Sequence, residues 1–209
     1  MKPVVGTPVV GILGYQGCIE PHEAILSQLG APSLRVRTPE DLARIDRLIL
    51  PGGESTTMLR FIKRYSMQGH LQRFALTHPV WGICAGAILA AREVHNPSQE
   101  SLALIDISAH RNFYGSQIDS FTAALAVEGH AHPIEAQFIR APLLTPLSPS
   151  PGRPEIQIKS VLAGQPVFIA QGHVWACSFH VELGRNTDLH EHFLSLEVKA
   201  PGFQNTAGT

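Results

Sequence analysis

Val80-Trp81-Gly82-Ile83-Cys84-Ala85-Gly86, continued by Ala87-Ile88-Leu89-Ala90, is the stretch that decides the fold of this chain. Val80 to Ile83 is a short apolar run of the kind that forms a buried strand. Ala85 to Arg92 follows with only Cys84 between, and its small, helix-favouring residues predict a helix. A strand that passes directly into a helix is the repeating unit of an α/β protein, in which parallel strands need a crossover between them.

Outward from this unit the same alternation continues. On the N-terminal side, residues 4–13 read as a first buried strand, Pro21 to Leu29 as a helix and Leu34 to Val36 as a second strand. Asp46 to Leu50 is a third strand, ended by Pro51-Gly52-Gly53, and Ser55 to Tyr65 and Gly69 to Thr77 read as helices. On the C-terminal side the character changes. Ile105 to Ser108, Phe121 to Val127, Glu135 to Arg140, Ile156 to Leu162 and Pro166 to Gln171 are strand-like with few helices between them. Ala176 to His180 is one more strand, and residues 188–198 a closing helix. The expectation is a three-layer α/β domain with a mostly parallel central sheet and extra antiparallel strands in the second half. Five prolines between Pro142 and Pro154 predict a mobile surface loop. The polar, glycine-containing residues 200–209 read as a disordered tail. No internal repeat or linker divides the rest, so residues 1–199 are expected to form one domain.

Composition narrows the function. The chain has 209 residues, 44% of them hydrophobic and 16% charged, with 16 basic against 17 acidic side chains. That composition excludes disorder and collagen-like repetition, and it is unlike a nucleic-acid or anionic-membrane binder. No window reaches the ~18 apolar residues of a membrane span. The apolar N-terminal run is followed by Cys18, as in a lipoprotein signal, but Gly6, Pro8 and Gly11 interrupt it and Lys2 is its only charge. Three widely spaced cysteines, Cys18, Cys84 and Cys177, make neither a disulfide framework nor a zinc knuckle and suit a reducing, cytoplasmic setting.

Three local patterns can carry chemistry. Cys84, between glycines at 82 and 86, sits where a strand turns into a helix, a place that exposes a nucleophile at a helix N-terminus. An inert buried cysteine is the alternative. Phe179-His180-Val181-Glu182 places a carboxylate two residues from a histidine, on the same side of an extended chain, where it can orient the imidazole as a base for Cys84. A strand-end surface pair is the alternative reading. Leu50-Pro51-Gly52-Gly53-Glu54-Ser55 can turn backbone N–H groups toward a ligand, as an oxyanion hole requires, or can be a plain turn. It lacks the lysine of a phosphate loop. His130-Ala131-His132 and His190-Glu191-His192 have metal-like spacing without further ligands, so they read as solvated surface and no metal is expected. Cys18 and Cys177 read as core or turn cysteines.

Together, and in this chain order, the three patterns resemble the class I, triad-type glutamine amidotransferases, which have a flavodoxin-like fold. GILGYQG (11–17), LPGGESTTM (50–58), WGICAG (81–86), RNFYGSQIDSF (111–121), FIRAP (138–142) and CSFH (177–180) are similar to the glutaminase subunits of pyridoxal 5′-phosphate synthase within that class. The resemblance implies that Cys84 is the nucleophile, His180 its base and Glu182 the orienting carboxylate. It implies an oxyanion hole from Gly53 and Ala85, and glutamine binding by Gly53, Glu54, Ser55, Arg111, Ile139 and Arg140. Gln16 falls close to the oxyanion hole and the partner interface. It further implies L-glutamine as substrate, no cofactor, and a (β/α)₈ synthase partner in a large hetero-oligomer. One departure is Val181, where the family has proline; valine is at ease in a strand and keeps the same alternation. Two other readings stay open: a class I glutaminase serving another acceptor, such as imidazole glycerol phosphate synthesis, or a non-catalytic regulatory subunit.

Overall fold

The computed structural model describes residues 6–111, 113, 120–184 and 186–197. Its central sheet has seven strands. The first four are β1 (Val10–Leu13), β2 (Ser33–Val36), β3 (Arg47–Leu50) and β4 (Val80–Ile83). The others are β10 (Ile156–Leu162), β11 (Gln165–Gln171) and β12 (Val174–Cys177), and the spatial order is β10-β11-β12-β4-β3-β1-β2. The run β2-β1-β3-β4-β12 is parallel throughout, while β11 and β10 add on antiparallel. This is the doubly wound, flavodoxin-like order. The second half contributes the antiparallel strands that its sequence predicts.

Physical chemistry explains why β1, β3, β4 and β12 are central. Each is buried along its whole length, as a strand covered by helices on both faces must be. Alternate residues feed two cores. Leu48, Leu50 and Val80 face one, with Met58 and Ile62 of α3 (Ser55–Arg64) and Leu71 of α4 (Gln68–Phe74). Ile49, Trp81 and Ile83 face the other, with Ile19 and Leu26 of α1 (Ile19–Gln28) and Leu189 and Phe193 of α6 (Asp188–Ser195). α5 (Ala85–Ala90) is buried on every side, and its small residues let its backbone lie directly on the sheet. A side chain at Gly86 would collide with the carbonyl of Leu50, which is why the turn after Cys84 carries glycine there.

Outside the sheet lie α2 (Pro39–Leu42), opened by a Thr38–Asp41 capping box, and two small sheets. One consists of β5 (Ala91–His95), β6 (Ile105–His110) and β9 (Leu143–Pro146); the other is a hairpin of β7 (Phe121–Leu125) and β8 (Ile134–Phe138).

Several sequence expectations need correction. The helix expected over 85–92 stops at Ala90, because Ala91 takes extended backbone and starts β5. The proline-rich 142–154 stretch is not simply a loop. Its start is β9, an edge strand paired antiparallel with β6, where Pro146 ends the strand and disturbs no interior ladder. Its remainder is tied to the fully buried carboxylate of Asp106. Ser150 donates both its N–H (2.8 Å) and its hydroxyl (2.7 Å), and Arg92 (2.8 Å) and Gln171 (2.9 Å) add their own bonds. The strand expected over 176–180 begins at Val174 and ends at Cys177. The expected tail at 200–209 lies outside the described residues.

Candidate active site

The ends of neighbouring parallel strands converge on one pocket. Residues after β1 (Gln16, Cys18), after β3 (Gly52, Gly53), after β4 (Cys84) and after β12 (His180) meet at the carboxyl edge of the sheet, where open α/β sheets bind ligands. The cavity, about 230 Å³, is lined by Cys18, Gly53, Glu54, Ser55, Cys84, Ala85, Ile88, Arg111, Ile139, Arg140 and His180. Every glutamine-binding position implied by the resemblance is on this wall.

Cys84 has φ +49° and ψ −104°, a backbone conformation that side-chain-bearing residues rarely adopt and that costs about 1–3 kcal/mol. Its surroundings hold it there. Its N–H donates to the Cys177 carbonyl at 2.8 Å, and its own carbonyl accepts from Ile88 N–H at 3.1 Å, opening α5. The Sγ points toward the Ile139 carbonyl, 3.8 Å away. Cys177, fully buried behind it, has its thiol pushed well up by burial and is a core residue, as expected.

His180 lies beyond the end of β12, and a separate bridge to β8 fixes it. His180 N–H donates to the Gln137 carbonyl (2.7 Å) and Gln137 N–H returns the bond (3.0 Å). The His180 Nδ1 and the Glu182 Oε1 are 2.6 Å apart, both side chains almost wholly buried. Burial works against a charged imidazole here. Hydrogen bonds with Cys18, Cys84 and Glu182, and the Glu182 charge, outweigh it and raise the His180 pKa. Glu182 is held low for the matching reason: burial opposes its charge, and the neighbouring histidines more than compensate. Val181 is fully buried and leaves the His180–Glu182 bond intact, so the missing proline costs no contact in this pair.

The Gly52-Gly53 turn is fixed from the β1–α1 connection. Cys18 N–H donates to the Gly52 carbonyl at 2.9 Å, and the Gln16 Oε1 accepts the Glu54 N–H at 2.8 Å. A trans peptide carries its N–H opposite its carbonyl, so the Gly53 N–H points away from Cys18 N. Gly53 has φ +153° and packs directly on the Gln16 side chain. Across the pocket, Arg140 Nη2 bridges to Glu54 Oε1 at 2.9 Å. Ser55 is buried and donates to Gln99 Oε1 at 3.0 Å. Of the RNFYGSQIDSF block (111–121), residues 112 and 114–119 lie outside the described residues, and Arg111 lines the pocket.

One expectation changes and one is extended. Cys18 sits in the turn between β1 and α1, as a turn cysteine should, and it also stands on the pocket wall. Its Sγ, a His180 ring nitrogen and a Glu182 oxygen all lie within 4.8 Å of one another. These donor types suit zinc, although His180 and Glu182 are engaged with each other. His190, read as solvated surface, is fully buried, because α6 turns that face of the helix toward Trp81. His130 and His192 do pair near the surface, at 3.1 Å. Neither Cys18 nor the buried His22 carried a signal, beyond their place after the first glycine turn.

Known proteins bear on this geometry. A profile described as the SNO glutamine amidotransferase family matches residues 12–199. A pyridoxal 5′-phosphate synthase subunit PdxT from Deinococcus radiodurans is 44% identical over 193 residues, 90% of this chain and 96% of its own. The PdxT of Fervidobacterium nodosum is 42% identical over 189 residues, again 90% and 96%. The crystal structure of a glutamine amidotransferase superposes with a TM-score of 0.81 at 36% identity, over 90% of this chain and 97% of that one. A putative GMP synthase component from Thermoplasma acidophilum shares the fold, with a TM-score of 0.64 at 15% identity over 91% and 94%. Matched over nine-tenths of its length, the chain belongs to the SNO glutamine amidotransferase family.

Proposed function

We propose that this chain hydrolyses L-glutamine to L-glutamate and ammonia, and that it hands the ammonia to a (β/α)₈ synthase subunit making pyridoxal 5′-phosphate. The observation that carries the reading is the strained Cys84 turn facing the His180–Glu182 pair, in a chain 42–44% identical to pyridoxal 5′-phosphate synthase subunits.

In this reading the Cys84 proton rests on His180, whose charged form the site favours, and the thiolate sulfur attacks the glutamine amide carbon. Negative charge builds on the former carbonyl oxygen, where the N–H groups of Gly53 and Ala85 receive it. The intermediate collapses to a thioester as the C–N bond breaks, and His180 protonates the departing ammonia. Water, deprotonated by His180, then cleaves the thioester to glutamate and restores the thiolate. Glu182 holds the ring in one tautomer and stabilises the imidazolium. Glu54 and Arg140 place opposite charges at the mouth, complementary to the α-ammonium and α-carboxylate of an amino acid, with Ser55, Arg111 and Ile139 completing the wall. Gln16, behind the Gly53 turn, faces the partner.

Ammonia in neutral water is mostly protonated and no longer nucleophilic, so a docked acceptor is part of the design. A large hetero-oligomer in the cytoplasm is the setting this chemistry suits, with residues 1–199 as one glutaminase domain. The test is glutamate release with and without the cognate synthase. A chain that releases none in either case is a non-catalytic subunit, and activation only by a different synthase moves it to another acceptor.

A further inference from the structure

Behind the triad, away from Cys84, Glu182 Oε2 is buried with no hydrogen-bond partner among the described residues. Facing it at 3.9 Å is the Nε2 of His22, an equally buried and unpartnered atom on α1. The other ring nitrogen of His22 is 2.9 Å from the Nε2 of His190 on α6, and neither ring is exposed at all. The His190 ring stands edge-on to Trp81, 5.2 Å between centroids, so it is packed in place. Cys84, His180, Glu182, His22 and His190 are thus successive neighbours, from the pocket wall inward.

Burial keeps both rear histidines neutral: it lowers His22, and it pushes His190 down to about 3. A neutral imidazole has one donor and one acceptor. Only one proton arrangement presents a donor to the carboxylate. His190 Nε2–H donates to His22 Nδ1, and His22 Nε2–H points at Glu182 Oε2. The reverse arrangement would set a lone pair against a buried negative charge. The 3.9 Å separation is about 1 Å longer than a hydrogen bond, and hydrogen bonds of catalytic groups are often this loose before substrate binds.

We propose that His22, backed by His190, is a positioning residue for glutamine hydrolysis. It fixes the second oxygen of Glu182, and through it the tautomer and aim of His180. The inference rests on the triad reading above. The titratable groups around the pair are Glu182 and His180 in front, Cys18 and Cys84 on the far side of His180, and Cys177 beside Glu182.

The experiment measures kcat and KM for glutamine against pH, with synthase saturating, for the native chain, His22→Phe, His22→Gln, His190→Asn and Cys84→Ala. A hydrogen bond to a charged group is worth enough that His22→Phe should lower kcat about tenfold to hundredfold, with KM little changed. The acid limb of its pH profile should move to higher pH, since Glu182 loses a donor and binds a proton more readily. His22→Gln, which can still donate, should recover most of the rate. His190→Asn should shift the profile in the same sense by a smaller amount, and it decides the matter if His22→Phe does not fold. Unmoved pH profiles, or a Gln variant no better than Phe, overturn the inference. An active Cys84→Ala would instead overturn the triad reading itself.

Discussion

Gly52 and the imidazole of His180 are in such close contact that a methyl group on Gly52 would occupy the place of the His180 Cε1. Gly52-Gly53 is therefore a steric seat for the base as well as a turn. Gly52→Ala is expected to displace the ring and lower kcat/KM at least a hundredfold, since small misplacements of reacting groups cost that much. The β3 strand should be undisturbed, so the melting temperature should change far less than the activity. A Gly52→Ala enzyme with native turnover would show that the ring has room to spare.

Cys84→Ala is expected to abolish glutamate release while leaving the fold and partner binding intact. A glutamine-mimicking electrophile should label Cys84 stoichiometrically. Cys177 should be spared, because its thiol is fully buried with its pKa pushed up. Cys18 is the informative control: it shares the pocket wall, so peptide mapping of the labelled chain tells nucleophile from neighbour.

His180→Asn should cost as much as loss of the cysteine, and Glu182→Gln less, because the base moves protons and the carboxylate orients it. The double variant should be scarcely worse than His180→Asn alone, as triad members act as a unit. Additive losses, measured as kcat ratios, would separate the two roles.

The isolated chain is expected to be a poor glutaminase that the synthase switches on. Among the described residues the Gly52-Gly53 peptide is held by one hydrogen bond, from Cys18 N–H, and two glycines let a partner that breaks it redirect the Gly53 N–H. One oxyanion donor is worth about 2.7–4 kcal/mol, a factor of roughly 10² to 10³ in rate. Comparing kcat without partner and at saturation checks this; full activity in the lone chain removes the gate.

Asp106 gives a stability prediction with a defined pH window. Burial opposes its charge, but bonds from Ser150 and Gln171 and the charge of Arg153 lower its pKa to about 2. A carboxyl depressed in the folded state stabilises the protein above its unfolded value near 3.9, and that contribution fades as pH falls toward about 2. Asp106→Ala leaves the Ser150 and Gln171 donors without their buried acceptor and should destabilise by about 1–3 kcal/mol at neutral pH. Denaturant titration of both chains at pH 7 and pH 3 should show the gap shrinking in acid.

Local pattern is what the sequence could express. Val80–Ile83 and Ile156–Leu162 are strands at the boundaries their residues predict, and Ser55–Arg64 departs by a single position. The nucleophile turn was readable because strand, cysteine and helix are consecutive, and His180 and Glu182 because they stand two apart. Ala91–His95 was not readable. Its AREVH can serve a helix or a strand, and only the β6 partner across from it decides.

Length, patterning and the glycine-flanked cysteine were thus sufficient by themselves for an α/β chain with a triad candidate, because burial periodicity and turn chemistry are local properties. Tertiary structure alone decided that His190 faces inward, that Cys18 stands beside the base, that Asp106 binds the proline-rich stretch, and that His22 lies behind Glu182. Each of these joins residues 44 to 168 positions apart. Partners at that separation are selected by packing and by the cost of leaving a buried polar group unpaired, which no window along the chain contains.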